Sequence, residues 1–160
     1  MAAETEPELR QVGVVDAQGG SAAFTGAKTQ GWSGHHCGPN YSIQGNMLVS
    51  EDTVAAMVTA FTTPCERQTL GERLLIALEA GQAAGGDSRG KQSAALIVRG
   101  LEVYPIVDLR VDEHSDPVNE LRRIYEIARL ELFPFVAALP TKENPRGNLS
   151  AIRADMAPKS

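Results

Sequence analysis

Apolar residues recur along this chain with two periods, and the period switches several times. From Arg10 to Asp16 the chain reads RQVGVVD, with Val12 and Val14 on one face of a short strand. The turn cluster DAQGG follows, with two glycines free to take positive φ, and SAAFTG returns as a second strand. Residues 10–26 therefore read as a β-hairpin. Residues 27–42 lose the alternation and read as a long polar loop carrying Trp32, His35, His36, Cys37 and Tyr41. Loops of that length in compact domains are often functional. Strand character returns between Ser42 and Val49, around Ile43 and Leu48.

The spacing then becomes helical. Val54, Met57, Val58 and Phe61 form one apolar stripe, with Ser50 as N-cap, Glu51 and Asp52 in the first turn, and Pro64 as the stop. A second helix opens on the capping box Thr69-Leu70-Gly71-Glu72. Leu70, Leu74, Ala77 and Leu78 make its buried face, and Gly85-Gly86 ends it. Gln92 to Val98 is rich in β-formers without clean alternation, which predicts a strand covered on both faces. Ile106 to Asp112 alternates, with Val107, Leu109 and Val111 pointing one way. The last helix starts at Asp116-Pro117 and carries Val118, Leu121, Ile124, Tyr125 and Ala128 as its stripe.

The order ββ(β)ααββα, with turns between neighbouring strands, predicts an α+β fold: antiparallel sheet covered by helices, not a doubly wound parallel sheet. Residues 10–133 read as one folded domain. Residues 1–9 are polar and read as a disordered start. Residues 134–160 read as a Pro-rich, loosely ordered tail.

Composition narrows the function. The chain has 160 residues, 20 acidic against 15 basic, for a net charge of -5. That leaves no basic footprint for nucleic acid or anionic lipid. Two cysteines are too few for a disulfide framework. No apolar run reaches the roughly 18 residues of a membrane span. The opening MAAETEPELR has no apolar core of a signal peptide, so the chain reads as cytoplasmic.

Several clusters invite chemistry. His35-His36-Cys37 are adjacent, whereas metal ligands must converge on one point, and Cys65 and His114 could join them only through the fold. The cluster reads as a loop with one structural or site-lining histidine. Asp108, Arg110, Asp112, His114 and Asp116 recur at period two. Arg110 in their midst makes that row a solvated or salt-bridged face rather than a cation site. The glycines and Lys91 of residues 85–93 follow a helix C-terminus, the wrong pole for a phosphate. Gln44-Gly45-Asn46 sets two carboxamides around a glycine. They read either as paired donors for a carbonyl or oxyanion, or as a β-bulge with Asn46 bonding its own turn. There is no G-x-S-x-G nucleophile elbow, and neighbours within 35–37 are poorly placed to pair a thiolate with an imidazole.

Four separated stretches carry a resemblance. They are RQVGVVDAQGG, AAFTGAKTQGWSGHHCGPNYSIQGNML, ALEAGQAAGGDSRGKQSAAL and VDLRVDEHSDPVNELRR. In that order, over roughly residues 9–125, they resemble an uncharacterised bacterial family placed in the N-terminal-nucleophile (Ntn) hydrolase superfamily. The resemblance implies an αββα sandwich of two antiparallel sheets between helices. It also implies that this chain matches the C-terminal two-thirds of the family's domain, without the preceding segment. In such hydrolases an N-terminal Thr, Ser or Cys is the nucleophile and its own amine the base. Met1-Ala2-Ala3 supplies none, so this chain alone is expected to be inactive.

The implied function is amide-bond hydrolysis of a small-molecule or peptide-like amide, with no cofactor. Gln44, Gly45 and Asn46 would face a carbonyl, Asp87 and Arg89 would orient polar groups, and His35 and Tyr41 would line the wall. The alternative is a non-catalytic ligand-binding or protein-interaction module on the same fold. Metal-dependent hydrolysis by His114 with Asp112 and Asp116 rests on spacing alone. An incomplete sandwich exposes sheet edges, which predicts a homo-oligomer.

Overall fold

The computed structural model describes residues 5–63, 68–148 and Ser150. Met1, Ala2, Ala3, Pro64, Cys65 and residues 151–160 lie outside that range. Among the described residues the fold is α+β, with three two-stranded antiparallel sheets and three α-helices. The chain divides into two compact units, Met1–Lys91 and Gln92–Ser160.

The first unit begins with a 3-10 turn at Pro7–Leu9, within the stretch expected to be disordered. It is tied down because Glu8 accepts the Ala27 N–H on its carboxylate and the Lys28 N–H on its carbonyl. Strand β1 (Gln11–Val15) pairs with β2 (Ser21–Thr25), as the hairpin pattern predicts. Its turn is built on Asp16, whose Oδ1 accepts the N–H groups of Gln18 and Gly20 at 2.8 Å each.

The expected loop at 27–42 is instead largely a second hairpin, β3 (Trp32–Gly38) with β4 (Tyr41–Leu48). Trp-Ser-Gly-His-His-Cys-Gly has no apolar alternation to announce a strand. Its turn does have a local cause. Pro39 suits the first central position and Asn40, at φ 66°, takes the left-handed second one. The two hairpins are stacked with their turns together, for Asn40 N–H donates to Gly19 O at 2.8 Å.

The other face of β3–β4 carries helices α1 (Asp52–Thr62) and α2 (Leu70–Ala83). Ile43, Val54, Phe61 and Ala77 form a buried cluster there, with Trp32, Leu48, Met57, Val58 and Leu74 around it. The N-cap of α1 is Glu51 rather than the expected Ser50, whose Oγ one residue earlier accepts the Asp52 N–H, while Thr69 Oγ1 accepts the Glu72 N–H as the capping box predicts. The buried stripe of α2 is rotated from the expected one. Leu75 is fully buried whereas Leu70 is 50% exposed. Arg73 closes the helix pair, donating to Phe61 O at 2.9 Å with its guanidinium 4.4 Å above the Phe61 ring.

In the second unit β5 (Ala94–Arg99) pairs with β6 (Pro105–Val111), and α3 (Pro117–Ala138) packs on one face. Leu96, Val98, Val107, Leu109 and Val111 point inward toward Val118, Leu121, Tyr125 and Ala128. β5 alternates after all, and Ile97 is 55% exposed, so the expectation of cover on both faces is not met. Helix α3 also runs through Pro134 into the expected tail. There, Asn148 N–H donates to Ala138 O and Lys142 N–H to the Glu102 carboxylate, which ties residues 139–148 to the unit.

Candidate functional site

Strand β4 has two chemically different faces. Tyr41 and Ile43 turn toward the helices, whereas Ser42, Gln44 and Asn46 turn toward the β1–β2 hairpin. Met47, at φ 55°, is an extra residue that breaks the alternation. The register confirms a bulge, since Trp32 pairs with Leu48 but Gly34 pairs with Gly45. This slip returns Leu48 to the apolar cluster and leaves Asn46 on the polar face.

The interlayer is held by side-chain amides rather than by apolar packing. Gln11 Nε2 donates to Thr25 Oγ1 at 2.9 Å, to Gly45 O at 2.9 Å and to Gly34 O at 3.2 Å. Gln11 Oε1 accepts from Asn46 Nδ2 at 2.9 Å. Thr25 Oγ1 stands 2.8 Å from His35 Nδ1, and Ser42 Oγ donates to Gln44 Oε1 at 2.8 Å. Gly13 leaves room for them, because a Cβ at that position would press on Ser42 Oγ and the Gln44 carboxamide and displace them. Cys37 Sγ, a part-exposed thiol, lies 3.8 Å from Ser42 Oγ.

The expected site residues divide. His35, Gln44 and Asn46 come together on this face, and Gly45 contributes only its carbonyl, which accepts from Gln11 Nε2. Tyr41 does not. Its ring stacks on His36 at 5.8 Å between centroids and tilts against Phe61 on the helix side. His35 and His36 therefore face opposite ways, as consecutive strand residues must.

Asp87 and Arg89 sit in the loop between α2 and β5, which lies against the end of β4. Asp87 bridges Leu48, and Ser88 donates to Met47 O through both N–H and Oγ. Their side chains close on each other, with Arg89 Nη2 2.6 Å from Asp87 Oδ2 and Arg89 Nε 3.0 Å from Oδ1. Hydrogen bonds from the Arg89 guanidinium and backbone N–H hold the Asp87 carboxyl down at about 2.

The bulge expected at Gln44-Gly45-Asn46 falls at Asn46-Met47, past the paired Gln44 and Gly45, and Asn46 bonds Gln11 of another hairpin rather than its own turn. Gln11, Thr25 and Ser42 are the residues that sequence reasoning missed. One signal was available: the DAQGG turn fixes a register that sets Gln11 opposite Thr25 on one face.

The row Asp108 to Asp116 does not form one face. Strand β6 ends at Val111, Arg110 lies 3.9 Å from Asp112, and His114 Nδ1 accepts the Asp116 N–H. Among the described residues no three His, Cys, Asp or Glu side chains group as a metal site, and no helix is long and apolar enough to cross a membrane.

Three comparisons bear on this arrangement. The family described as "Family of unknown function (DUF1028)" matches residues 1–121. The crystal structure of protein SPO2555 from Silicibacter pomeroyi, of the same DUF1028 family, is similar at 30% identity with a TM-score of 0.76. The match covers 90% of this chain and 64% of that one, so this chain spans less than two-thirds of its neighbour's length. No curated protein matches the chain.

Proposed function

This chain belongs to the family of unknown function DUF1028, and from that premise we propose that its polar interlayer is one wall of an amide-bond hydrolase site of the Ntn type. The observation that carries the reading is the stack itself. Two antiparallel hairpins face each other across amides, hydroxyls and an imidazole, with helices behind the second. A buried seam between sheets is ordinarily apolar, because polar groups gain little net stability there. A polar seam whose Gln44 and Asn46 remain exposed is suited to bind a polar group.

In this reading the layers belong to an αββα sandwich, and the nucleophile is an N-terminal Thr, Ser or Cys outside these 160 residues. Gln44 holds the substrate carbonyl. His35, oriented by Thr25, lines the wall. The mutually paired Asp87 and Arg89 stiffen the loop beside Asn46 rather than contact substrate. The protein acts in the cytoplasm without a cofactor and self-associates through Val12, Val14 and Phe24, exposed on the outer face of β1–β2.

The test is amine release from a panel of small amides by the complete protein. Changing the N-terminal nucleophile to Ala is expected to abolish turnover. Gln44→Ala is expected to lower kcat/KM about 100-fold, the scale of one lost oxyanion donor. Turnover that survives both changes overturns the reading. Binding without turnover favours the non-catalytic module.

A further inference from the structure

The hydrogen-bond network fixes which way the Gln11 and Asn46 carboxamides point, and Gln44 takes its place beside them. Gln11 faces two backbone carbonyls, Gly34 O and Gly45 O, and a carbonyl can only accept. The group turned toward them must be Nε2, and Gln11 Oε1 must then face Asn46. An oxygen there can only accept, so Asn46 is obliged to donate through Nδ2. That leaves Asn46 Oδ1 without a hydrogen bond among the described residues.

Gln44 is set the other way round. Its Oε1 accepts the Ser42 hydroxyl, and the same oxygen is turned under Gly13. Its Nε2 makes no hydrogen bond among the described residues. Gln44 and Asn46 are two apart on one strand, so they share a face about 6.6 Å apart along the chain. Sequence alone offers two carboxamide donors. The network instead presents one donor, Gln44 Nε2, beside one acceptor, Asn46 Oδ1.

We propose that this donor–acceptor pair recognises an amide that retains its N–H, with Gln44 on the carbonyl oxygen and Asn46 on the N–H. The proposal rests on reading this face as an amide site, and it narrows the ligand class. Primary and secondary amides satisfy both partners. Tertiary amides and esters leave Asn46 Oδ1 facing a group with no proton. A site that hydrogen-bonds an N–H discriminates strongly against the analogue lacking it, because its own polar group is then unpaired.

The test uses N-methylacetamide, N,N-dimethylacetamide and methyl acetate titrated into the full 15N-labelled chain. Binding is read from the side-chain amide resonances of Gln44 and Asn46. The secondary amide is expected to bind about tenfold tighter than the other two, a loss of one hydrogen bond. Asn46→Ala is expected to make the two amides bind alike, whereas Gln44→Ala weakens both by the same factor. Equal binding of the two amides to the unmutated chain overturns the proposal. So does a preference that persists in Asn46→Ala, or no binding by any probe. The backbone amide spectrum shows whether each variant is folded. If Asn46→Ala is not, the tenfold ratio and the Gln44 resonance shift in the unmutated chain decide. Recognition by this chain with no turnover by the complete protein keeps this inference and removes the hydrolase reading, while turnover by the complete protein without preference here does the reverse.

Discussion

Gln11 Oε1 accepts a hydrogen bond from Asn46 Nδ2 at 2.9 Å, across 35 positions of chain. With the three bonds from Gln11 Nε2, it makes one side chain the joint between two hairpins. Little apolar surface is shared at this seam, so the joint depends on satisfied polar groups, and removing one leaves its partners orphaned.

Replacing Gln11 with Leu is therefore expected to destabilise the protein by about 1–3 kcal/mol, read from urea denaturation. Gln11→Glu sharpens the point. A carboxylate facing two carbonyls has its folded-state pKa raised above the unfolded value. Its protonated form keeps one donor, so this variant should be closest to the original below about pH 4 and fall behind as pH rises through the raised pKa. A deficit independent of pH would argue that Gln11 acts by shape alone.

Thr53, only 3% exposed on α1, has a hydroxyl without a hydrogen-bond partner among the described residues. Thr53→Val keeps the shape and removes the orphan. We expect unchanged or higher stability, by up to about 1 kcal/mol, in a thermal melt. A clear loss would mean that the hydroxyl has a partner in solution.

Leu121 on α3 is completely buried against the β5–β6 hairpin. Leu121→Ala is expected to cost about 2–5 kcal/mol, from lost burial plus the cavity left behind. The exposed Leu130 provides the control, and its change to Ala should stay within about 0.5 kcal/mol.

Asp87 gives a pH signature. Its carboxyl is held at about 2 by Arg89, against an ordinary 3.8. A depressed folded-state pKa contributes stability that is complete above the unfolded value and is lost as pH falls through the folded one. The contribution should therefore fade between about pH 4 and pH 2 and be missing from Asp87→Asn throughout. The pair is solvent-facing, so the midpoint shift in urea will be small. A variant that tracks the original from pH 7 to pH 4 yet diverges below would contradict the pairing.

Local rules read some of this protein well. The Asp16-Gly20 turn, the Thr69 cap, the Asp116-Pro117 start and the alternation of β6 all follow from groups within a few residues of one another. A cap or a tight turn is satisfied by its own neighbourhood, so its signal is written locally. The resemblance carried in four motifs agrees with the family match over residues 1–121.

The site was legible only in part. His35, Gln44, Gly45 and Asn46 are recognisable as polar residues around glycines, but Tyr41 looks equally polar and belongs to the apolar face. The tail and β5 misled for a related reason. A Pro inside a long helix, or an exposed Ile on a strand, is decided by what packs there and not by residue type.

The sequence by itself determined the α+β class, most of the element types and the Asp16-Gly20 turn, because these depend on periodicity and on short-range hydrogen bonds, and its motifs carried the family resemblance. Tertiary structure alone decided that Trp32–Gly38 is a strand, that His35 and His36 part company, and that Gln11 meets Asn46. A glycine-rich polar strand gains its stability from the strand beside it and the layer above it. The orientation of an amide, and so the chemistry it offers, is set by whichever partner across the fold can only accept.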